Sequence, residues 1–217
     1  MNVNMFERFW LQVKGMHTLF FVPLAGYYCL VPLGVWAMSN KPEFVLVDAI
    51  SEMCYLVVPF LSTWWGYLVM REYIEGDGRE VLLLGKGMAS GAFLFWQLNS
   101  ICFIPLLWVK VDERFENDLV SLAAQLILIS FVMNGLALFL SSFTKSITMS
   151  MLVIILYSAL SNYTFHNAQF TKVFSPVQLT LLRDAFYDES GRSIYMKFIL
   201  AGTVFWVLGV ARCRKME

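Results

Sequence analysis

The stretch LVSLAAQLILISFVMNGLALFLS, Leu119 to Ser141, contains no Asp, Glu, Lys, Arg or His. A helix needs about 20 mostly apolar residues to cross a hydrocarbon core about 30 Å thick, so this run is long enough to span a bilayer unaided. Glu116 and Asp118 precede it and Lys145 follows it, so charge bounds it at both ends. Reading outward, five further runs of the same kind extend approximately from His17 to Met38, Val47 to Met70, Met88 to Val109, Ile147 to Phe165 and Ile194 to Ala211. The expected fold class is therefore all-α: a polytopic membrane protein with six transmembrane helices in a single domain over residues 1–217. The first run is read as a permanent span, because a signal-peptide core is shorter and no A-x-A site precedes a polar mature domain.

Composition points the same way. Of the 217 residues, 59% are hydrophobic and only 15% charged, against about 25% in a soluble domain. Sixteen Lys and Arg balance sixteen Asp and Glu, so there is no basic face for nucleic acid. The four cysteines, Cys29, Cys54, Cys102 and Cys213, are far apart and lie in or at the end of apolar runs, where they read as small hydrophobes. His17 and His166 are too few for a His-rich metal site, and no metal ligand set is expected.

Orientation follows from Lys and Arg in short loops. With a cytoplasmic N-terminus, the inner segments hold Arg8, Lys14, Arg71, Arg79, Lys86, Lys145, Arg212, Arg214 and Lys215. The outer ones hold Lys41, Lys110, Arg114, Lys172, Arg183, Arg192 and Lys197, of which the last four belong to the long stretch after the fifth run and count for less. Both termini are expected inside, in a bacterial plasma membrane.

Three segments are not spans. In residues 1–15, Val3, Phe6, Phe9, Trp10 and Val13 recur at helical spacing opposite Asn4, Glu7, Arg8 and Lys14, which suits an amphipathic helix in the inner interface. Residues 71–87 form the densest charge cluster in the chain; on charge pattern alone this is a solvated loop. In residues 166–193, Ser175 is a plausible N-cap and Pro176 fits a first helical position, which predicts a short outer helix before the last span.

Chemistry is sparse. Gly85-Lys86 invites a phosphate-loop reading, but Glu80 stands where glycine is required and Gly87 where Ser or Thr is required. Glu52 and Lys197 lie in outer turns, so no charge sits at mid-span, which argues against ion-coupled transport and intramembrane catalysis. No catalytic residue is expected: under this topology the two histidines fall at opposite faces, and a mid-membrane serine has no base. Gln97, Asn99, Ser100, Gln125, Ser130 and Asn134 are neutral polar groups at mid-span. Their bland role is hydrogen bonding between helices, and their sharper one is lining a substrate path. Gly87 to Gly91 carries a small-xxx-small pattern suited to close helix approach.

In layout, the six spans, amphipathic leader, charged inner segment and outer insert resemble the permease of an ATP-binding-cassette transporter of the type-2, exporter class. Glu72, Glu75, Gly76, Arg79 and Glu80, followed by Val81, Leu82, Leu83 and Leu84, are similar to the acidic and leucine-rich stretch by which that family docks on its ATPase. Leu138-Phe139-Leu140-Ser141-Ser142-Phe143-Thr144-Lys145-Ser146 resembles the family's inner turn between spans four and five, and Ser175-Pro176 the opening of its outer insert. One departure is Gly85-Lys86-Gly87 where the family often has proline. The resemblance implies a coupling role for Arg71 and the segment after it, and a separate ATPase chain holding ATP and Mg. It also implies a second permease copy or paralogue and contact with membrane lipid. It places Tyr55, Phe60, Trp64, Ser158 and Asn162 along the path of a hydrophobic or amphipathic cargo such as a peptide, antibiotic or lipid; Asn99 and Asn134 are the mid-span candidates for the same path.

Two rivals stay open. A substrate-binding membrane subunit of a vitamin-type uptake system has similar size and hydropathy, though a charged inner segment is not expected there. An intramembrane enzyme is disfavoured by the missing mid-span acid, base or metal ligand.

Overall fold

The structure is a computed structural model that describes residues 5–39, 46–75, 88–107, 116–164 and 191–215. These residues are almost wholly helical, with no strand among them. Helix α1 (Met5–Met16) leads through a 3-10 turn (His17–Phe21) into α2 (Val22–Ala25), a π-helical turn (Gly26–Leu30) and α3 (Val31–Ser39). Then come α4 (Leu46–Ile74), α5 (Met88–Leu107), α6 (Glu116–Thr144), α7 (Ile147–Thr164) and α8 (Gly191–Cys213).

Five helical stretches are long and apolar enough to cross a membrane: Phe9–Ala37, Met53–Ile74, Ala89–Leu107, Leu119–Thr144 and Ile194–Cys213. They answer five of the six expected spans. The remaining run, expected over 147–165, falls on α7, whose apolar part, Ile147–Ala159, is shorter than the five that qualify as spans. The outer insert expected over 166–193 lies outside the described residues except where α8 begins at Gly191.

Two boundaries differ from expectation for physical reasons. Helix α4 continues past Met70 to Ile74, because Arg71 and Glu72 are competent helix formers and a helix need not end where the hydrocarbon does. The leader, expected over 1–15, is α1, and the apolar helical path of the first span begins within it, at Phe9, rather than at His17. The join is taken up by His17, at φ 47°, and by the 3-10 turn that follows. Such a turn releases backbone carbonyls from the regular ladder, and in hydrocarbon they need a donor. Adjacent indoles on α4 supply it: Trp64 Nε1 donates to Leu19 O at 3.0 Å and Trp65 Nε1 to Phe20 O at 2.8 Å.

The core divides into two clusters stacked along the bundle. One contains Met16, Tyr73, Ala92, Ile147 and Cys213; the other contains Val31, Ile50, Leu106, Leu107, Leu119 and Phe198. The first thus gathers the beginnings of α5 and α7 and the ends of α4 and α8, so successive helices alternate in direction and α1 and the end of α8 share one end. Helices α4 and α6 are the inner pair. Helix α6 packs on α4, α5, α7 and, most extensively, α8. Glycine makes the last contact close: a methyl on Gly135 would lie 2.7 Å from Trp206 Cδ1 and 3.1 Å from the Gly202 carbonyl oxygen. Large apolar side chains such as Leu33, Trp36, Leu152, Leu156, Leu200 and Val207 face outward. Such a surface fits lipid as solvent, in which polar backbone is satisfied inside each helix.

Candidate functional site

The end of the bundle that gathers Tyr73, Ile147 and Cys213 also carries the charged end of α4. Glu75 follows α4 directly, its backbone N–H still bonded to Arg71 O at 2.9 Å. Its carboxylate accepts the Ile147 N–H at 3.0 Å, from a residue 72 positions on. The first amides of a helix have no partner within it and its N-terminus carries partial positive charge, so a carboxylate there is doubly favoured. The first turn of α7 holds no acidic residue of its own. Glu75 supplies the anion from α4 instead.

The connection from α6 to α7 is ordered by its own side chains. Lys145 adopts φ 54°, and its N–H bonds Ser141 O at 3.0 Å. Thr144 Oγ1 donates to Leu140 O at 2.8 Å and accepts the Ser146 N–H at 3.3 Å; Ser146 Oγ in turn accepts the Met149 N–H at 3.4 Å as an N-cap. One turn further along α7, Ser150 Oγ donates to Ala137 O at 3.3 Å, which leaves the Tyr67 hydroxyl to donate to Ser150 Oγ at 3.0 Å. The ends of α4 and α6 and the start of α7 are therefore cross-linked. Arg71 and Glu72 are exposed beside this junction. Gly76, Arg79, Glu80, Leu82, Leu83 and Leu84 lie outside the described residues.

Deeper in the bundle, polar side chains join helices. The Tyr27 hydroxyl, in the π-helical turn, donates to Asn99 Oδ1 on α5 at 2.8 Å, and Asn99 Nδ2 donates to Ser130 Oγ on α6 at 3.4 Å. Asn134 Nδ2 reaches Ser62 O on α4 at 3.0 Å and Ser130 O at 2.8 Å. Tyr55 on α4 donates to Gln125 on α6, whose Nε2 donates to Ser121 Oγ at 3.2 Å. Every one of these side chains is buried.

The expected path residues separate into two groups. Tyr55, Asn99, Asn134 and Ser158 are buried within the bundle, and the first three bond between helices. Phe60 and Trp64 are half-buried and line an open apolar groove of about 610 Å³, walled by Val22, Gly26, Cys29, Leu56 and Leu61 among others. Asn162 is a residue of α7. Among the described side chains, the path candidates thus do not share one surface of the chain.

Sequence reasoning missed the Glu75 cap and the Trp64–Trp65 pair. The cap had a partial signal in Ser146, an N-cap residue with no acid following it; the indole pair had none. A scan against protein-family models gives no match, and comparisons with curated proteins and with solved structures give none either. The class that the fold defines is an integral membrane protein of apolar, antiparallel helices.

Proposed function

We propose that this chain is the membrane-spanning subunit of an ATP-driven exporter, working with a second permease copy or paralogue and two separate ATPase subunits. On this reading six helices cross the membrane, both termini and the 71–87 segment are cytoplasmic, and α1 lies in the inner interface. ATP closes the ATPases, which push on the segment from Arg71 to Leu84. The bundle then alternates between states of different affinity for a hydrophobic or amphipathic cargo; without that difference, ATP could move nothing. ATP and Mg belong to the partner.

The observation that carries the reading is the junction at Glu75. Two of the three stretches that carry the resemblance are joined there, since the Glu75 carboxylate accepts the N–H of Ile147, the residue that follows the inner turn ending at Ser146. A surface built to receive a push needs such a connection to the helices it moves. The apolar groove beside Phe60 and Trp64 supports an apolar cargo.

The test is whether an adjacent gene encodes a stand-alone ATPase with a phosphate loop, followed by co-expression with it, purification and ATP turnover. The expected product is a two-plus-two assembly. Leu83→Asp should weaken association or uncouple turnover, and Arg79→Glu should shift the salt dependence of association, since charges at an interface rim act chiefly on encounter. A transport-active complex with one permease copy would overturn the dimer. Parent-like assembly and turnover in both variants would reduce the segment to a solvated connection.

A further inference from the structure

We infer that Glu75 is a latch that makes the inner end of α4 and the first turn of α7 move as one body. It is a positioning residue: it touches neither cargo nor nucleotide, and acts by holding another helix. The consequence for transport rests on the exporter reading; the latch itself does not.

The argument starts from how α7 is held. Its first turn is anchored by the Glu75 carboxylate on the Ile147 N–H, by Tyr67 on Ser150 and by Ser150 on the Ala137 carbonyl. The Ile147 side chain is buried in the same cluster as Tyr73, the neighbour of Glu75 but one. Beyond that turn, Leu152, Val153, Ile155 and Leu156 are all exposed. Those four form the outer face, while Ile154 and Ser158 continue the buried face of Ile147 and Ser150, so the bonds to the first turn add a polar hold to a helix packed along its length.

Arg71 and Glu72, one turn before Glu75 on the same helix, are exposed. Any partner that shifts them shifts Glu75, because the last turn of α4 is closed by the Glu75 N–H on Arg71 O. With the cap intact, the start of α7 follows. With the cap absent, the first turn of α7 keeps the Tyr67 bond and its buried packing but loses its tie to the last turn of α4, the turn that carries Arg71 and Glu72.

Two variants separate the carboxylate's charge from its bond. Glu75→Gln keeps a carbonyl acceptor, whereas Glu75→Ala removes it. Hydrogen exchange of the Ile147 amide, measured on the full chain in lipid nanodiscs, should speed up roughly five-fold in Glu75→Ala and stay near parent in Glu75→Gln, as the loss of a helix N-cap predicts. Ile147→Pro removes the same bond from the donor side, at a first helical position where proline is tolerated.

The coupling readout is exchange along 152–159 in the complex with the ATPase, with and without ATP and vanadate. Trapping should alter exchange in parent and in Glu75→Gln, and this response should be lost in Glu75→Ala and in Ile147→Pro although both assemble. A cap that only stabilised α7 would leave the response in place. Unchanged Ile147 exchange in Glu75→Ala, or a retained response in both uncoupling variants, overturns the latch. If no ATPase binds the parent, the exporter reading falls, and the Ile147 amide alone decides whether the latch exists.

Discussion

Replacing Asn99 by Leu tests whether the buried polar side chains hold the bundle together or face a path. The substitution keeps the branch at Cγ in a somewhat larger side chain and removes the acceptor of the Tyr27 hydroxyl and the donor to Ser130 Oγ. Asn99 and Tyr27 are both fully buried, so water cannot replace either partner. Hydrogen bonds between membrane helices contribute about 0.6 kcal/mol on average and about 1.7 at most, so losing two should cost about 1 to 3 kcal/mol. Tyr27→Phe removes one of the same bonds. If the pair acts as the geometry indicates, the double variant loses less than the sum of the singles, with a coupling of about 0.6 to 1.7 kcal/mol. The assay is equilibrium unfolding by SDS titration in mixed micelles. Additive costs would show that the Tyr27–Asn99 bond contributes nothing. Parent-like stability in Asn99→Leu together with altered cargo-stimulated ATP turnover would refute the packing role and assign Asn99 to the path.

Three further outcomes are expected. Gly135→Ala forces a methyl within 2.7 Å of Trp206 and 3.1 Å of a backbone carbonyl, and should destabilise the α6–α8 contact by about 1 to 3 kcal/mol; an unchanged thermal midpoint in detergent would contradict that fit. Trp65→Phe keeps an aromatic ring against Phe20, now 5.1 Å from the indole, but loses the bond to the Phe20 carbonyl. The expected cost is about 0.5 to 1.5 kcal/mol, seen as faster proteolysis near His17, and proteolysis at the parent rate would show that the carbonyl needs no indole. In a background lacking Cys29, Cys54, Cys102 and Cys213, a cysteine at Asp77 should resist and one at Arg114 should accept an impermeant thiol reagent applied to intact cells, and the reverse pattern would invert the topology.

How much was legible depends on the range over which each feature is determined. The apolar run from Leu119 to Ser141 is read within itself, and α6 covers it. The runs at Val47, Met88 and Ile194 likewise fall on α4, α5 and α8. Ends were harder, because Arg71 to Ile74 and Glu116 to Asp118 favour helix as well as water. The join at His17 was missed since a left-handed histidine leaves no local pattern. Among the polar groups, Asn99, Gln125, Ser130 and Asn134 bond between helices with partners the sequence did not name, whereas Ser100 bonds Trp96 O within its own helix and Gln97 is exposed. Trp64, placed along a cargo path by resemblance, lines the apolar groove and gives its indole N–H to Leu19 O, a bond that no local pattern announces.

By itself the sequence determined the membrane class, the all-helical fold and the approximate position of each long helix. Burial in hydrocarbon requires an unbroken apolar run of fixed length, and that is a property of consecutive residues. Only the tertiary structure decided which helices are neighbours, that α4 and α6 form the inner pair, and that Glu75 closes the start of α7. Those pairings join positions about 30 to 75 apart through side-chain shape and single hydrogen bonds, and in lipid no hydrophobic term between helices selects among the alternatives. One apolar helix face resembles another until a glycine, an asparagine or a carboxylate finds the one partner it fits.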